Sequence, residues 1–369
     1  MGIGNVRGKA IDTGGAGGSF NRQSLAWLAQ KGTLSGDPGA APSFDASGGT
    51  TTDYTDPTGS WRSHKFIASG SFVVTEAAGP GSGNVEYLVI GAGGGSGSSG
   101  PSGYHGAGGG GAGCIKSNVG NNDLAVSAAT YTVTIGAGGP GGTGNGPPTW
   151  AGGPGARGGD SSLAGPDITT ITAGGGGGSM GSQSNPDNGW PSPIGGKDTG
   201  GSPLPGGGSG AGGSPYPIAA TGQVSSGDSG HPGAADVASP ANGWGNDGGG
   251  APNSMAAGGG GGAAAVGGDA PTGFDGGTGG NGAAYTLVGG TSAPVTYGGG
   301  GGGGGGNPPA TLAPGGTGGG GAGALKPSAS ESGAVDGTAN TGGGAGGDAQ
   351  FATGAAGGSG IVVIRYKYP

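Results

Sequence analysis

Nine consecutive glycines, Gly298–Gly306, limit what this chain can fold into more than any other stretch, and shorter Gly-rich runs repeat their character along its length. Each Gly in a helix or strand gives up roughly 0.5–1 kcal/mol against Ala and has no side chain to bury. Two conformations survive. One is a floppy linker; the other is an extended left-handed helix of the polyglycine II type, with three residues per turn and a rise of about 3.1 Å. That helix makes no internal hydrogen bonds, so each N–H and C=O must find a neighbouring strand at the close approach that only Gly permits. A single run has no such neighbours, whereas many runs of one height could complete one another as a lattice.

The run lengths favour the lattice. Gly106–Gly113, Gly136–Gly142, Gly152–Gly159, Gly174–Gly178, Gly206–Gly213, Gly258–Gly268, Gly276–Gly282, Gly315–Gly323 and Gly342–Gly347 accompany the nine-residue run. Seven to nine residues span about 22–28 Å in this conformation, which suits a bundle of rods of one height. Collagen is excluded, because Gly298–Gly306 has Gly at all three positions of any triplet frame and Pro308–Pro309 breaks it. Of 369 residues 112 are Gly and 27 Pro, a composition that ordinarily signals disorder. Charge repulsion does not drive it here, since only 9% of residues are charged and the net charge is -8 without charge blocks.

Strand signals cluster at the two ends of residues 64–369. His64-Lys-Phe-Ile, Ser71-Phe-Val-Val-Thr, Val85-Glu-Tyr-Leu-Val-Ile90, Tyr131-Thr-Val-Thr-Ile135 and Ile361-Val-Val-Ile-Arg-Tyr-Lys-Tyr368 are β-branched and aromatic runs between Gly, Pro and Ser. The alternation after Ile364 places Arg365 and Lys367 in water. Strands from both ends must pair, so the expected fold is mostly irregular and β: a small β-sandwich-like base from 64–90, 131–135 and 361–368, with a polyglycine II bundle and protruding loops over 91–360.

Residues 1–60 read differently, as an attachment region distinct from the glycine-rich domain at 61–369. Ser24–Lys31 is a two-turn helix candidate with Leu25, Leu28 and Ala29 on one face. Too short to be stable alone, it predicts that Leu25, Trp27 and Leu28 pack on the next domain or on another subunit. The segment Asp37–Pro57, with Pro38, Pro42 and Pro57, reads as a linker.

Side chains are concentrated in the longer loops, 143–150, 179–205, 214–247, 269–274, 307–314 and 324–340. Trp150, Trp190, Tyr216, Trp244 and Phe274 lie there, and they are the candidate binding residues. Aromatic faces on a stiff scaffold give large contact area at low entropy cost, and recognition commonly sits on loops. The alternative is that these aromatics plug the ends of the lattice.

Catalytic and cofactor motifs do not stand up. Gly136-Ala-Gly-Gly-Pro-Gly141 fits the dinucleotide fingerprint after a strand, but Gly142-Thr-Gly-Asn-Gly-Pro-Pro148 cannot form the helix that would hold a pyrophosphate. Gly177-Gly-Ser-Met-Gly181 has the spacing of a nucleophile elbow without its strand and helix. His64, His105 and His231 are too dispersed for a ligand set, and the lone Cys114 excludes an intrachain disulfide and a cysteine-based zinc site. Twelve scattered basic residues against twenty acidic ones argue against a nucleic-acid partner. No apolar run approaches a membrane span, and the start, Met1-Gly-Ile-Gly-Asn-Val-Arg, lacks an apolar signal region. The expectation is no enzyme activity, no cofactor, no metal, no membrane insertion and no Sec export.

In order, Phe66-Ile-Ala-Ser-Gly-Ser-Phe-Val-Val, Val85-Glu-Tyr-Leu-Val-Ile-Gly-Ala-Gly-Gly-Gly, Tyr131-Thr-Val-Thr-Ile-Gly-Ala-Gly-Gly, Gly159-Asp-Ser-Ser-Leu-Ala-Gly and Gly358-Ser-Gly-Ile-Val-Val-Ile-Arg-Tyr366 resemble the glycine-rich domain of bacteriophage tail-fibre and receptor-binding adhesin proteins. The resemblance covers residues 66–369. It implies polyglycine II helices in a hexagonal lattice, distal loops that meet a bacterial surface receptor (a polysaccharide or an outer-membrane protein), and a place on the exposed surface of a virion. The other reading is an architectural one, a virion decoration fibre or self-assembling filament subunit without a receptor.

Overall fold

The computed structural model describes residues 44–77, 83–99, 105–121, 123–143, 152–181, 208–213, 245–251, 255–271, 273–286, 294–306, 311–325, 333–349 and 353–368. All of them belong to Ser43–Pro369, one of two compact units; the other is Met1–Pro42. The helix candidate at Ser24–Lys31, with Leu25, Trp27 and Leu28, lies outside the described residues.

Among the described residues there are thirteen strands: β1 (Phe44–Ser47), β2 (Thr50–Asp56), β3 (Gly59–Phe66), β4 (Gly70–Ala77), β5 (Asn84–Ile90), β6 (Ile115–Ser117), β7 (Leu124–Ala125), β8 (Thr130–Thr134), β9 (Ser161–Gly165), β10 (Ile168–Ala173), β11 (Ala283–Tyr285), β12 (Val295–Tyr297) and β13 (Ile361–Lys367). One sheet has the order β1-β4-β8-β9-β10 and a second has β2-β3-β13-β5-β6, with β7 also on β5 and a separate β11-β12 pair. All the pairings are antiparallel. The last strand, β13, lies between β3 and β5, so the two ends of this unit close on one sheet.

Alternation along β13 explains the layers. Val362, Ile364 and Tyr366 enter one core with Phe66, Phe72, Val85, Val89, Tyr131 and Leu163, which joins the two sheets. Ile361 and Val363 point the other way, into a smaller core with Leu88, Ile90, Ile115, Tyr285 and Tyr297 that joins the second sheet to β11-β12. Buried on both faces, β13 reads as a continuous apolar run for that reason.

Three expectations need correction. Residues 44–56, read as the end of an attachment segment and a linker, are the strands β1 and β2; their Thr, Ser and Asp residues carry no apolar alternation because β2 pairs at a sheet edge with its side chains largely outside. Arg365, placed in water, is buried. Its Nε donates to Glu86 Oε2 at 2.7 Å, its Nη1 donates to the Tyr54 hydroxyl at 2.9 Å, and its guanidinium lies 4.1 Å from the centre of the Trp61 ring. The base also recruits β6, β9, β10, β11 and β12 from the region expected to hold only rods and loops.

Between the strands the period changes from two to three. In 298–306, Gly299, Gly302 and Gly305 donate to the carbonyls of Gly318, Gly321 and Ala324; Gly300, Gly303 and Gly306 donate to Gly280, Gly277 and Phe274. Gly301 and Gly304 donate to Gly110 and Ala107. The carbonyls of this run accept from Gly344 and Gly347, from Ala257, Gly260 and Ala263, and from Gly316. Every third residue faces the same neighbour, which is the signature of a helix with three residues per turn, and six strands surround the run. The same holds for 105–114: Gly106, Gly109 and Ala112 donate to Met255, Gly258 and Gly261, while Ala107, Gly110 and Gly113 donate to Asp348, Ala345 and Gly342. The glycine runs are therefore polyglycine II rods in hexagonal packing. Gly is required because the rods touch through their backbones; a Cβ on Gly110 would stand 2.1 Å from the Gly94 carbonyl oxygen. Strand meets rod abruptly, and at one junction Gly298 adopts φ 70° to turn from β12 into its rod, a conformation that strains any residue with a Cβ.

His64 on β3 is wholly buried between the sheets. Its Nδ1 lies 2.7 Å from the Gly48 carbonyl and its Nε2 3.4 Å from the Tyr366 hydroxyl. Burial lowers its pKa from 6.5, with the Gly48 bond opposing. A His lowered in the folded state leaves stability intact above 6.5; as pH falls below that value the unfolded chain takes up a proton that the folded chain resists, and stability is lost. The thermal midpoint is expected to fall as pH drops through the 6.5 region, before Asp53, Asp56 and Asp167, all lowered from 3.8, begin to protonate. A midpoint unchanged across that first window would remove His64 as the cause.

Candidate binding face at the far pole of the lattice

Rods leave or enter the base at the ends of its strands: after Ile90, before Ile115, after Thr134, before Ser161, after Ala173, before Ala283, after Tyr297 and before Ile361. Their other ends are tied together in one layer. Gly142 donates to Ser96 and accepts from Gly354, Gly153 donates to the Ser98 hydroxyl at 2.8 Å, and the Ser99 N–H and hydroxyl both donate to Asp348. From Asp348 the layer continues through Ala107 to Gly304, from Gly304 to Ala257, and from Gly306 to Phe274 at 2.6 Å. A chain of hydrogen bonds thus runs across the pole opposite the sheets.

Polar side chains join the backbone bonding of the lattice. Ser96, Ser98, Ser99, Ser179 and Asp348 toward this pole, and Ser209 and Asn246 nearer the sheets, are buried among glycines, and each has a hydrogen-bond partner in the lattice. The Ser179 hydroxyl, for instance, accepts from Gly97 at 2.7 Å and donates to the Gly108 carbonyl, bridging two rods that do not meet directly there. The sequence reading missed this set; an isolated Ser within a glycine run was the available signal.

Of the aromatics named as binding residues, Phe274 is described. It is half-buried at this pole, its carbonyl held by Gly306 and its ring edge 3.0 Å from where a Gly306 Cβ would stand. Trp150, Trp190, Tyr216 and Trp244 lie outside the described residues. Their described neighbours are placed: Thr143 and Gly152 on either side of Trp150, Gly181 before Trp190 and Gly213 before Tyr216 all fall on far-pole ends of rods. Gly245, after Trp244, instead precedes Asn246, which pairs with Gly210 toward the sheet side. The arrangement therefore aligns the approaches to Trp150, Trp190 and Tyr216 and does not align that to Trp244.

Reactive groups in the described region are committed to structure. Cys114 is fully buried and its thiol is pushed up to about 12 by burial, which leaves it without thiolate character near neutral pH. Among the described residues no group of three or more His, Cys, Asp or Glu could hold a metal ion, and no helix is long and apolar enough to cross a membrane.

Residues 67–227 match the model of the family described as a glycine-rich domain. The matched stretch takes in β4 to β10 and the rods between them, while β13, which completes the base, lies beyond it. No curated protein matches the chain.

Proposed function

We propose that this chain is a tail-fibre tip or receptor-binding protein on the exposed surface of a bacteriophage virion, recognising a bacterial surface receptor, a polysaccharide or an outer-membrane protein, through loops carried on the polyglycine II scaffold. The observation that supports it is the layer of hydrogen bonds tying the rod ends together opposite the base. A lattice whose rods are bonded backbone to backbone with several neighbours each is a stiff platform, and a stiff platform lowers the entropy that its connections lose on binding. In this reading the chain binds and does no chemistry, and the part of residues 1–60 that precedes β1 docks it on other virion proteins or on copies of itself.

The test combines position and truncation. In electron cryo-microscopy of intact particles the rods are expected at the free end of a tail fibre; density on a capsid shell or as an axial filament repeat would transfer the role to architecture. Adsorption to the host should then fall more than tenfold when Trp150→Ala and Trp190→Ala are combined, since buried interface aromatics commonly cost about 2 kcal/mol or more on truncation. Unchanged adsorption by folded variants would sink the assignment of those residues.

A further inference from the structure

Among the described residues, the edge of the lattice closes in the same way at three places, where a side chain rather than a further rod receives a backbone N–H. Asp336 Oδ1 accepts the Ala356 N–H at 2.8 Å while the Gly337 N–H donates to the Ala356 carbonyl at 2.9 Å. Asp269 Oδ1 accepts the Gly250 N–H at 2.6 Å while the Ala270 N–H donates to the Gly250 carbonyl at 2.9 Å. Asn281 Oδ1 accepts the Thr317 N–H at 3.1 Å while the Gly282 N–H donates to the Thr317 carbonyl at 2.8 Å. Each time an Asp or Asn and the residue after it embrace both backbone groups of one residue on the adjacent segment. Inside the lattice those two groups go to different rods: Ala345 donates to Gly94 and accepts from Gly110. The exposed side-chain oxygen takes the place that a neighbouring rod's carbonyl fills inside the lattice.

We propose that these three clamps terminate the lattice, closing its perimeter against a polyglycine II rod of a second copy of this chain, which would otherwise pair there. A row of unpaired backbone groups is a template for further pairing, as at the edge of a β-sheet, and natural sheets blunt such edges with charged side chains. The second copy is the matching occupant because its rods have the same height and the same three-residue spacing of donors and acceptors. The clamps withhold the outward N–H groups of Gly250, Thr317 and Ala356, and this keeps the bundle from growing sideways.

Sedimentation velocity of the full chain at rising protein concentration tests this, using two variants. Asp269→Ala, Asn281→Ala and Asp336→Ala together remove the acceptors; Asp269→Asn with Asp336→Asn removes the charge and retains them. The unaltered chain and the Asn variant are expected to hold one mass, and the Ala variant to shift to twice that mass and beyond. Assembly of both variants would assign the effect to charge and overturn the clamps, as would a constant mass in both or a rising mass in the unaltered chain. Should the triple variant not fold, the single Ala variants carry the test by sedimentation and by hydrogen exchange: each is expected to speed exchange at its own amide, Gly250, Thr317 or Ala356, and unchanged protection there would overturn the proposal.

Discussion

Gly301→Ala is expected to destabilise the protein by more than about 3 kcal/mol, at the upper end of what an added methyl costs in a packed core. An ideal Cβ at this position would stand 1.8 Å from the Ala345 carbonyl oxygen and 2.4 Å from its carbon. The obstacle is backbone, so no rotamer change relieves it. The Ala345 oxygen accepts the Gly110 N–H at 2.8 Å, and Gly301 itself donates to Gly110 at 2.9 Å. Moving the rod aside breaks both bonds and leaves buried amides unpaired, which costs about 1–3 kcal/mol each. Gly333→Ala is the control: nothing lies within 4 Å of its Cβ and its φ is not in the left-handed region, so the smaller entropy of the unfolded chain should make it neutral or stabilising by about 0.4–1 kcal/mol. In calorimetry the first variant should melt on the order of 5–10 °C lower and the second no lower than the parent. Equal midpoints for the two variants would mean that the rods are not held at backbone contact.

The contrast between Gly301 and Gly333 shows why part of this fold could be read in advance and part could not. A run of nine glycines admits few ordered states, and the similar lengths of the runs restrict those to rods of one height. Strands at both ends of residues 64–369 were visible as β-branched runs, and β13 does close the sheet between β3 and β5. By contrast β2, Thr50-Thr-Thr-Asp-Tyr-Thr-Asp56, has no apolar alternation to detect, because what holds it is the backbone ladder to β3 and the pairing of Arg62 with Asp53 at 2.7 Å. Local pattern also cannot tell which rods adjoin, since one glycine run is like another; the neighbours of 298–306 come from residues 107 to 347 and are fixed by where the strands release each rod. The far pole was legible only as a consequence of equal rod lengths. Phe274 lies at that pole and Gly245, beside Trp244, toward the sheets, and both placements depend on the direction of a rod, which is not written in composition.

Arg365→Met is expected to cost about 3–5 kcal/mol, the range for removing one partner of a buried ion pair. The side chains of Arg365 and Glu86 are only 6% and 3% exposed, with Nη2 2.6 Å from Oε2. They face each other because β13 and β5 pair Arg365 with Glu86 in register, so a strand that looks amphipathic by alternation carries a charge inward to meet one of opposite sign. Removing the guanidinium strands the Glu86 carboxylate in a site where water cannot reach it, and also withdraws a donor from Tyr54 and the cation from the face of Trp61. Arg365→Lys should recover only part of the loss, because an ammonium cannot reproduce the planar fork that serves Glu86 and Tyr54 together. The decisive variant is Arg365→Met combined with Glu86→Gln, which no longer leaves a bare charge and should regain a large share of the stability lost by the first substitution alone. If the double variant is as unstable as the sum of the two singles, measured by denaturant unfolding, then Arg365 acts through its packing on Trp61, and the pairing with Glu86 contributes nothing to holding the closing strand in the sheet.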